Sequence, residues 1–199
     1  MTITDDLQTL RSELERFGER NDSAVDDRAR RMFNITRDTG EFLKVLVLAT
    51  AARRILEIRT SNGYSTLWLA EPEAIGGLVT TLECADPKAA LASANFARSG
   101  LAQVISLVID DTAQFLQRVE KSTYDLIFLD SERDEYVAWG PEVRRALRAG
   151  GLLIADNARS QPAKLLALHT LVAADSDFAI CLAPVGKGEL MALKTLGAE

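Results

Sequence analysis

Soft metal ligands are scarce: the 199-residue chain has one histidine and two cysteines. Cys84 and Cys181 lie far apart without metal-type spacing and fall in apolar, strand-like stretches, so they are expected to be buried, reduced thiols of a cytoplasmic protein. The lone histidine, His169, sits mid-helix among Leu165, Leu166, Leu168 and Leu171 and reads as a core-edge or surface residue, not a catalytic base. Long apolar runs are missing too. The longest, near 42–52, is broken by Lys44, and the first residues have no basic or apolar leader pattern, so neither a signal peptide nor a membrane span is expected. Basic charge is in deficit, with 23 Lys and Arg against 29 Asp and Glu, and no basic run marks one face, which argues against duplex nucleic acid as a partner. Only two tryptophans occur, and Trp68 and Trp139 fit helix faces packed on a sheet better than base-stacking platforms.

What is present is an ordinary globular composition, 47% apolar and 26% charged. A chain of this size buries about 70% of its extended surface, enough for one substantial core. Leu7, Leu10, Leu14 and Phe17 recur at helical spacing and predict an amphipathic first helix, followed by a polar stretch from Gly18 to Arg31. Residues 1–31 are therefore read as a helical appendage and 32–199 as the main domain. A second helix is expected over Thr39–Ala51. Short apolar runs then appear at Arg54–Ile58, Leu78–Glu83, Val104–Ile109, Asp125–Asp130 and Gly151–Ala155, each followed by a helical pattern. Such runs are buried parallel strands joined by crossover helices. After a helix opened by Gln161-Pro162, two runs, Phe178–Val185 and Glu189–Leu193, are separated only by Gly186-Lys187-Gly188, which predicts a hairpin with an antiparallel edge strand. The fold class is α/β: a doubly wound, mostly parallel, seven-stranded sheet with an antiparallel C-terminal edge hairpin.

Ligands of such sheets bind outside the carboxyl ends of the strands. There the chain places Glu57 and the loop Arg59-Thr60-Ser61-Asn62-Gly63-Tyr64-Ser65, then Glu83, Asp110-Asp111-Thr112, Asp130 and Asp156-Asn157. Acids crowded on one edge are costly unless cations, donors or ligand hydroxyls meet them. Glu83 ends the second strand, where a carboxylate can accept both hydroxyls of a ribose. The first loop lacks the G-x-G-x-x-G phosphate cradle, and Glu57 would repel a pyrophosphate while attracting the ammonium of a methionine moiety. A dinucleotide-dependent oxidoreductase is thereby disfavoured.

The segments Glu57 to Leu69 (EIRTSNGYSTLWL), Leu82-Glu83, Tyr124 to Asp130 (YDLIFLD), Tyr136 and Gly150 to Asn157 (GGLLIADN) resemble, in order, the class I S-adenosylmethionine-dependent O-methyltransferases of the catechol O-methyltransferase type. The resemblance implies a Rossmann-like methyltransferase fold with S-adenosylmethionine as cosubstrate. It assigns the methionine end of the cofactor to Glu57, Gly63, Tyr64 and Ser65, the ribose to Glu83, and the adenine to Asp111 and Thr112. Ile35 resembles the segment that closes over the cofactor carboxylate. It also implies Mg²⁺ or another divalent cation held by Asp130, Asp156 and Asn157, and two carboxylates with an amide oxygen are the hard donors such ions prefer. A bound cation would acidify an acceptor hydroxyl. Transfer would then depend on holding sulfur, methyl carbon and oxygen in line.

Two positions depart from that pattern. Arg133 stands where many relatives have Lys, and a guanidinium cannot serve as a general base, so beside Asp130 it is expected to be an electrostatic clamp. Arg59 stands where family members usually have glycine. Its side chain can turn outward, bind the cofactor carboxylate while neutralising the acids, or fill the pocket. The expected function is a cytoplasmic enzyme moving a methyl group to a hydroxyl of a small, phenolic or catechol-like acceptor. The alternative is a catalytically degenerate protein of the same fold serving as a binding or dimerisation module. A homodimer is expected because the apolar stripe of the first helix needs covering and relatives are commonly dimeric.

Overall fold

The computed structural model describes residues 3–73, 76–131, 133–160 and 162–196. Helices α1 (Ile3–Ala24) and α2 (Arg37–Thr50) precede the alternation β1 (Arg54–Ile58), α3 (Tyr64–Glu73), β2 (Leu78–Glu83), α4 (Asp86–Ser99), β3 (Ile105–Ile109), α5 (Thr112–Arg118), β4 (Tyr124–Leu129), α6 (Tyr136–Ala146), β5 (Leu147–Ala155) and α7 (Pro162–Ala173). The hairpin β6 (Phe178–Ala183) and β7 (Glu189–Lys194) follows. One sheet holds all seven strands in the order β3-β2-β1-β4-β5-β7-β6. The first five strands pair in parallel, while β7 is antiparallel to both β5 and β6. The C-terminal hairpin thus sits at the sheet edge as expected, but its antiparallel member lies one place inside, and the outermost strand β6 runs the same way as β5.

Helices cover both faces because the strands are apolar on both. Ile55, Leu126, Phe128, Leu152 and Ile154 pack with α1 to α4, and Leu56, Ile127, Leu129, Leu153 and Ala155 pack with α5 to α7. The apolar stripe of α1 is consumed internally: Leu7, Leu10 and Leu14 are buried in the first of these clusters. Arg11 reinforces the docking, donating to the Leu67 carbonyl at 2.6 Å and to Glu71 at 2.8 Å while its guanidinium lies 3.8 Å from the Trp68 ring centre. That stripe is therefore not left over for a partner. Trp68 and Trp139 are core residues, as read from their spacing.

Three expectations are corrected. Helix α1 runs on to Ala24 through the polar stretch, because its last turns are held by polar bonds that apolar periodicity does not report: Asp22 accepts from the Met32 and Phe33 amides at 2.6 and 2.8 Å. Strand β5 starts at Leu147, four residues early, continuing straight from α6 with an irregularity in its pairing to β4. Both cysteines are free but exposed. Cys84 falls just beyond the end of β2, and Cys181 lies on the outermost strand, so neither shares the burial of the strand interior. Among the described residues no helix is long and apolar enough to cross a membrane.

Candidate active site

The strand order reverses between β1 and β4, and the chain leaves a crevice at the carboxyl ends there. A cavity of about 300 Å³ opens at this point, lined by Arg28, Phe33, Arg59, Asp130, Asn157, Ser160 and Lys187. A larger apolar cavity, about 530 Å³, lies between α6, α7 and β6 against Val143, Leu168, Val172 and Phe178. It contains none of the expected site residues, so the smaller, polar cavity is the candidate site.

Between β1 and α3 the backbone turns sharply. Arg59, Ser61 and Gly63 all have left-handed backbones, with φ of 84°, 52° and 85°. Gly63 is dictated twice over, since a Cβ there would also stand 2.5 Å from the Phe96 ring. Arg59 adopts the same strained region with a full side chain. Its guanidinium carbon lies 5.4 Å from the centre of the Phe33 ring, and that of Arg28 lies 4.6 Å from it. The side chain thus lines the cavity instead of turning out of it, and about 300 Å³ stays open beside it. A strap between α1 and α2 carries Arg28 and Phe33 over the loop, fastened by Ser61 Oγ to the Met32 carbonyl at 2.8 Å and by Lys88 Nζ to the Arg31 carbonyl at 2.8 Å.

The acids of β1 and β2 are engaged locally. Glu57 is fully buried, with Oε2 accepting from the hydroxyls of Thr66 and, at 2.7 Å, Thr81. Burial pushes its carboxyl up to about 7, offset in part by the hydroxyls of Ser65, Thr66 and Thr81, and Oε1 meets no partner among the described residues. Glu83 accepts from three backbone amides: Ser61 at 2.8 Å, Cys84 at 3.1 Å and Ala85 at 3.0 Å. It thereby ties the first loop to the end of β2.

Across the reversal, Asp130, Asp156 and Asn157 are all nearly buried at the ends of β4 and β5. Asn157 has a left-handed backbone, donates through Nδ2 to Asp156, and accepts through Oδ1 from Ser160 Oγ at 2.9 Å. A fourth acid, Glu189 at the start of β7, is wholly buried and accepts from Thr39 Oγ1 at 3.1 Å. Burial first, then the nearby Asp156 and Asp130 carboxylates, push its carboxyl well above the ordinary carboxylate range, toward the protonated form. Its Oε2 meets no hydrogen-bond partner among the described residues. As oxygen donors, Asp130, Asp156 and Asn157 fit a hard divalent cation in type, and Asn157 would present its oxygen by turning its amide away from Ser160.

Other expected residues are placed elsewhere. The side chains of Ile35 and Tyr64 are in the core, where Tyr64 packs edge-on to Trp68, so only their backbones can face a ligand. Ser65 is buried beside Glu57. Asp111 caps α5, accepting from the Gln114 amide at 2.9 Å, and Thr112 is the first residue of that helix. Glu132, Gln161 and the Arg133 side chain lie outside the described residues. Sequence reasoning missed Arg28, Lys187 and Glu189. An acid opening an otherwise apolar strand and a lysine flanked by two glycines were the available signals.

A family model described as O-methyltransferase matches residues 11–195. The chain is 34% identical over 123 residues to a catechol O-methyltransferase of Mycobacterium tuberculosis, covering 62% of this chain and 56% of that protein. It is 35% identical over 128 residues to a catechol O-methyltransferase of Niastella koreensis, covering 62% and 58%. The matched stretch therefore spans less than two thirds of the length of either relative. Among solved structures, an O-methyltransferase from Bacillus cereus in complex with SAH superposes with a TM-score of 0.81 at 25% identity, covering 94% of this chain and 91% of the other.

Proposed function

The chain belongs to the O-methyltransferase family, and on that premise we propose that it transfers a methyl group from S-adenosylmethionine to a hydroxyl of a small acceptor. The observation that carries the reading is the position of the cleft, open at the point of strand reversal with Arg59 of the first loop on one wall and Asp130 and Asn157 on the other. The donor lies along the ends of β1, β2 and β3, its ribose hydroxyls toward Glu83 and its methionine end toward Gly63, Ser65 and the backbones of Tyr64 and Ile35. Asp111 and Thr112 border its adenine.

In the transfer, the acceptor oxygen loses its proton and attacks the methyl carbon as the carbon–sulfur bond breaks. The sulfonium becomes a neutral thioether and the ether oxygen keeps the methyl. Asp130 is the acid nearest the acceptor side and takes the hydroxyl proton or orients it. Asp130, Asp156 and Asn157 would hold a divalent cation, which would supply acidification of the hydroxyl. Arg133 opens the short helical turn after β4, and its proposed role is to clamp the developing oxyanion. We read it as a cytoplasmic enzyme, and a homodimer would have to use a surface other than the buried stripe of α1.

The test is a methyl-transfer assay against a panel of catechols and simple phenols, with Mg²⁺ and with a chelator. Turnover is expected and is expected to fall on chelation. Chelator-insensitive turnover removes the metal from the reading. S-adenosylmethionine binding without turnover on any acceptor favours the second reading, a non-catalytic binding module, which draws support from Arg59 lining the cleft itself.

A further inference from the structure

We propose that the cleft selects an acceptor bearing a carboxylate on a flat ring, held by Arg59 and Lys187 with Phe33 as a wall: a hydroxylated aromatic acid, not a neutral catechol. The word acceptor rests on the methyl-transfer reading; the carboxylate site does not.

Arg59 and Lys187 are half-buried, line one cavity, and make no ion pair among the described residues. This is notable in a chain with more acids than bases, where Arg11 and Lys44 meet Glu71 and Arg144 meets Asp175 and Asp177. Cations lining a concave, partly desolvated wall favour an anion there. Both are also held in place by backbone. Arg59 keeps φ at 84°, where glycine would be unstrained, so the side chain is retained against a conformational cost. Lys187 sits between Gly186 and Gly188, and its carbonyl accepts from the Arg159 and Ser160 amides at 3.0 and 3.1 Å. The hairpin tip is thereby pinned over the end of β5, presenting the lysine to the cleft.

The other lining groups set the orientation. Ser160, on the same lining, offers its hydroxyl to the hydroxyl of the acceptor. Phe33, its ring centre 4.6 Å from the Arg28 guanidinium carbon and 5.4 Å from that of Arg59, is the apolar wall of the cleft. One other carboxylate could use the cations, that of the donor's methionine end. The acceptor is favoured because Lys187, Asn157 and Ser160 lie beyond β4, on the side of the reversal away from Glu83 and β2.

Calorimetric titration of the whole protein, with and without S-adenosylhomocysteine, compares 3,4-dihydroxybenzoate with catechol. The acid is expected to bind about 10-fold more tightly, and Lys187→Gln and Arg59→Gln are each expected to remove most of that ratio, as befits a half-buried charge pair. Equal affinities, or a ratio that both variants leave intact, overturn the proposal. A second arm titrates S-adenosylmethionine against its decarboxylated analogue. If the variants weaken only the carboxylated donor and leave the acceptor ratio unchanged, the cations serve the donor and the proposal fails. A parallel methyl-transfer assay separates the two readings: preference for the acid without turnover on either acceptor overturns the transfer reading and leaves the carboxylate site standing.

Discussion

The two halves of the sheet edge use the same residue type in opposite ways. On the β3-β2-β1 half, Glu83 and Glu57 bond within the protein, one to three amides and the other to threonine hydroxyls. On the β4-β5-β7 half, Asp156 and Asp130 lie near enough to the buried Glu189 to push its carboxyl toward the protonated form, and three cations, Arg28, Arg59 and Lys187, line the cleft with Asp130. The first half is a backbone shape with acids as fasteners. The second is a balance of charges that a ligand can tip.

That contrast can be broken by mutation, starting where shape should matter most. Gly63→Val places a branched side chain at a left-handed position against Phe96 and is expected to cost about 4 kcal/mol, read by urea unfolding, with S-adenosylhomocysteine binding lost. Next comes Glu57, whose folded carboxyl is raised to about 7 from an ordinary 4.5. The folded state then keeps a proton that the unfolded chain gives up, so this stability is complete below pH 4.5, declines as pH rises and is gone above about 7. Relative to Glu57→Gln, the wild type is expected to lose roughly 3 kcal/mol across that window. Equal slopes for the two proteins would show that the buried acid is not protonated.

Smaller effects sharpen the other half. Arg59→Gly relieves a strained backbone and is expected to raise stability by about 1 kcal/mol while weakening the binding of anions in the cleft. Glu189→Gln removes a carboxyl whose charge burial and Asp156 disfavour and keeps an oxygen that can accept from Thr39. It is expected to cost less than about 0.5 kcal/mol at pH 7, measured by thermal melting. A large loss there would mean that Glu189 is ionised, and the crowding argument would fall.

Much of the fold was legible because parallel strands buried on both faces write uninterrupted apolar runs, and β1 and β2 were bounded to the residue. The boundary of β5 was not, since Leu147 closes a helical stripe and opens a strand at once. Strand-end acids could be found by position alone. What could not be read was the bonding each one makes: Asp111 caps α5, and Glu83 ties the first loop to the end of β2. Lys187 and Arg28 reach the cleft through tertiary contacts, the first by the hairpin's bonds to 158–160 and the second by the strap fastened to Asp22, Ser61 and Lys88. No local pattern encodes such contacts.

The placing of β7 between β5 and β6 has a consequence for biosynthesis. Strand β6 is made before β7 yet touches the sheet only through it, so it has nothing to pair with until the last of the seven strands emerges. Until then the β5 edge stands open, a template for pairing with other chains. Glu189 and Lys187 arrive with that final strand. Closing the aggregation-prone edge and completing the charged side of the cleft are one event in the life of the nascent chain.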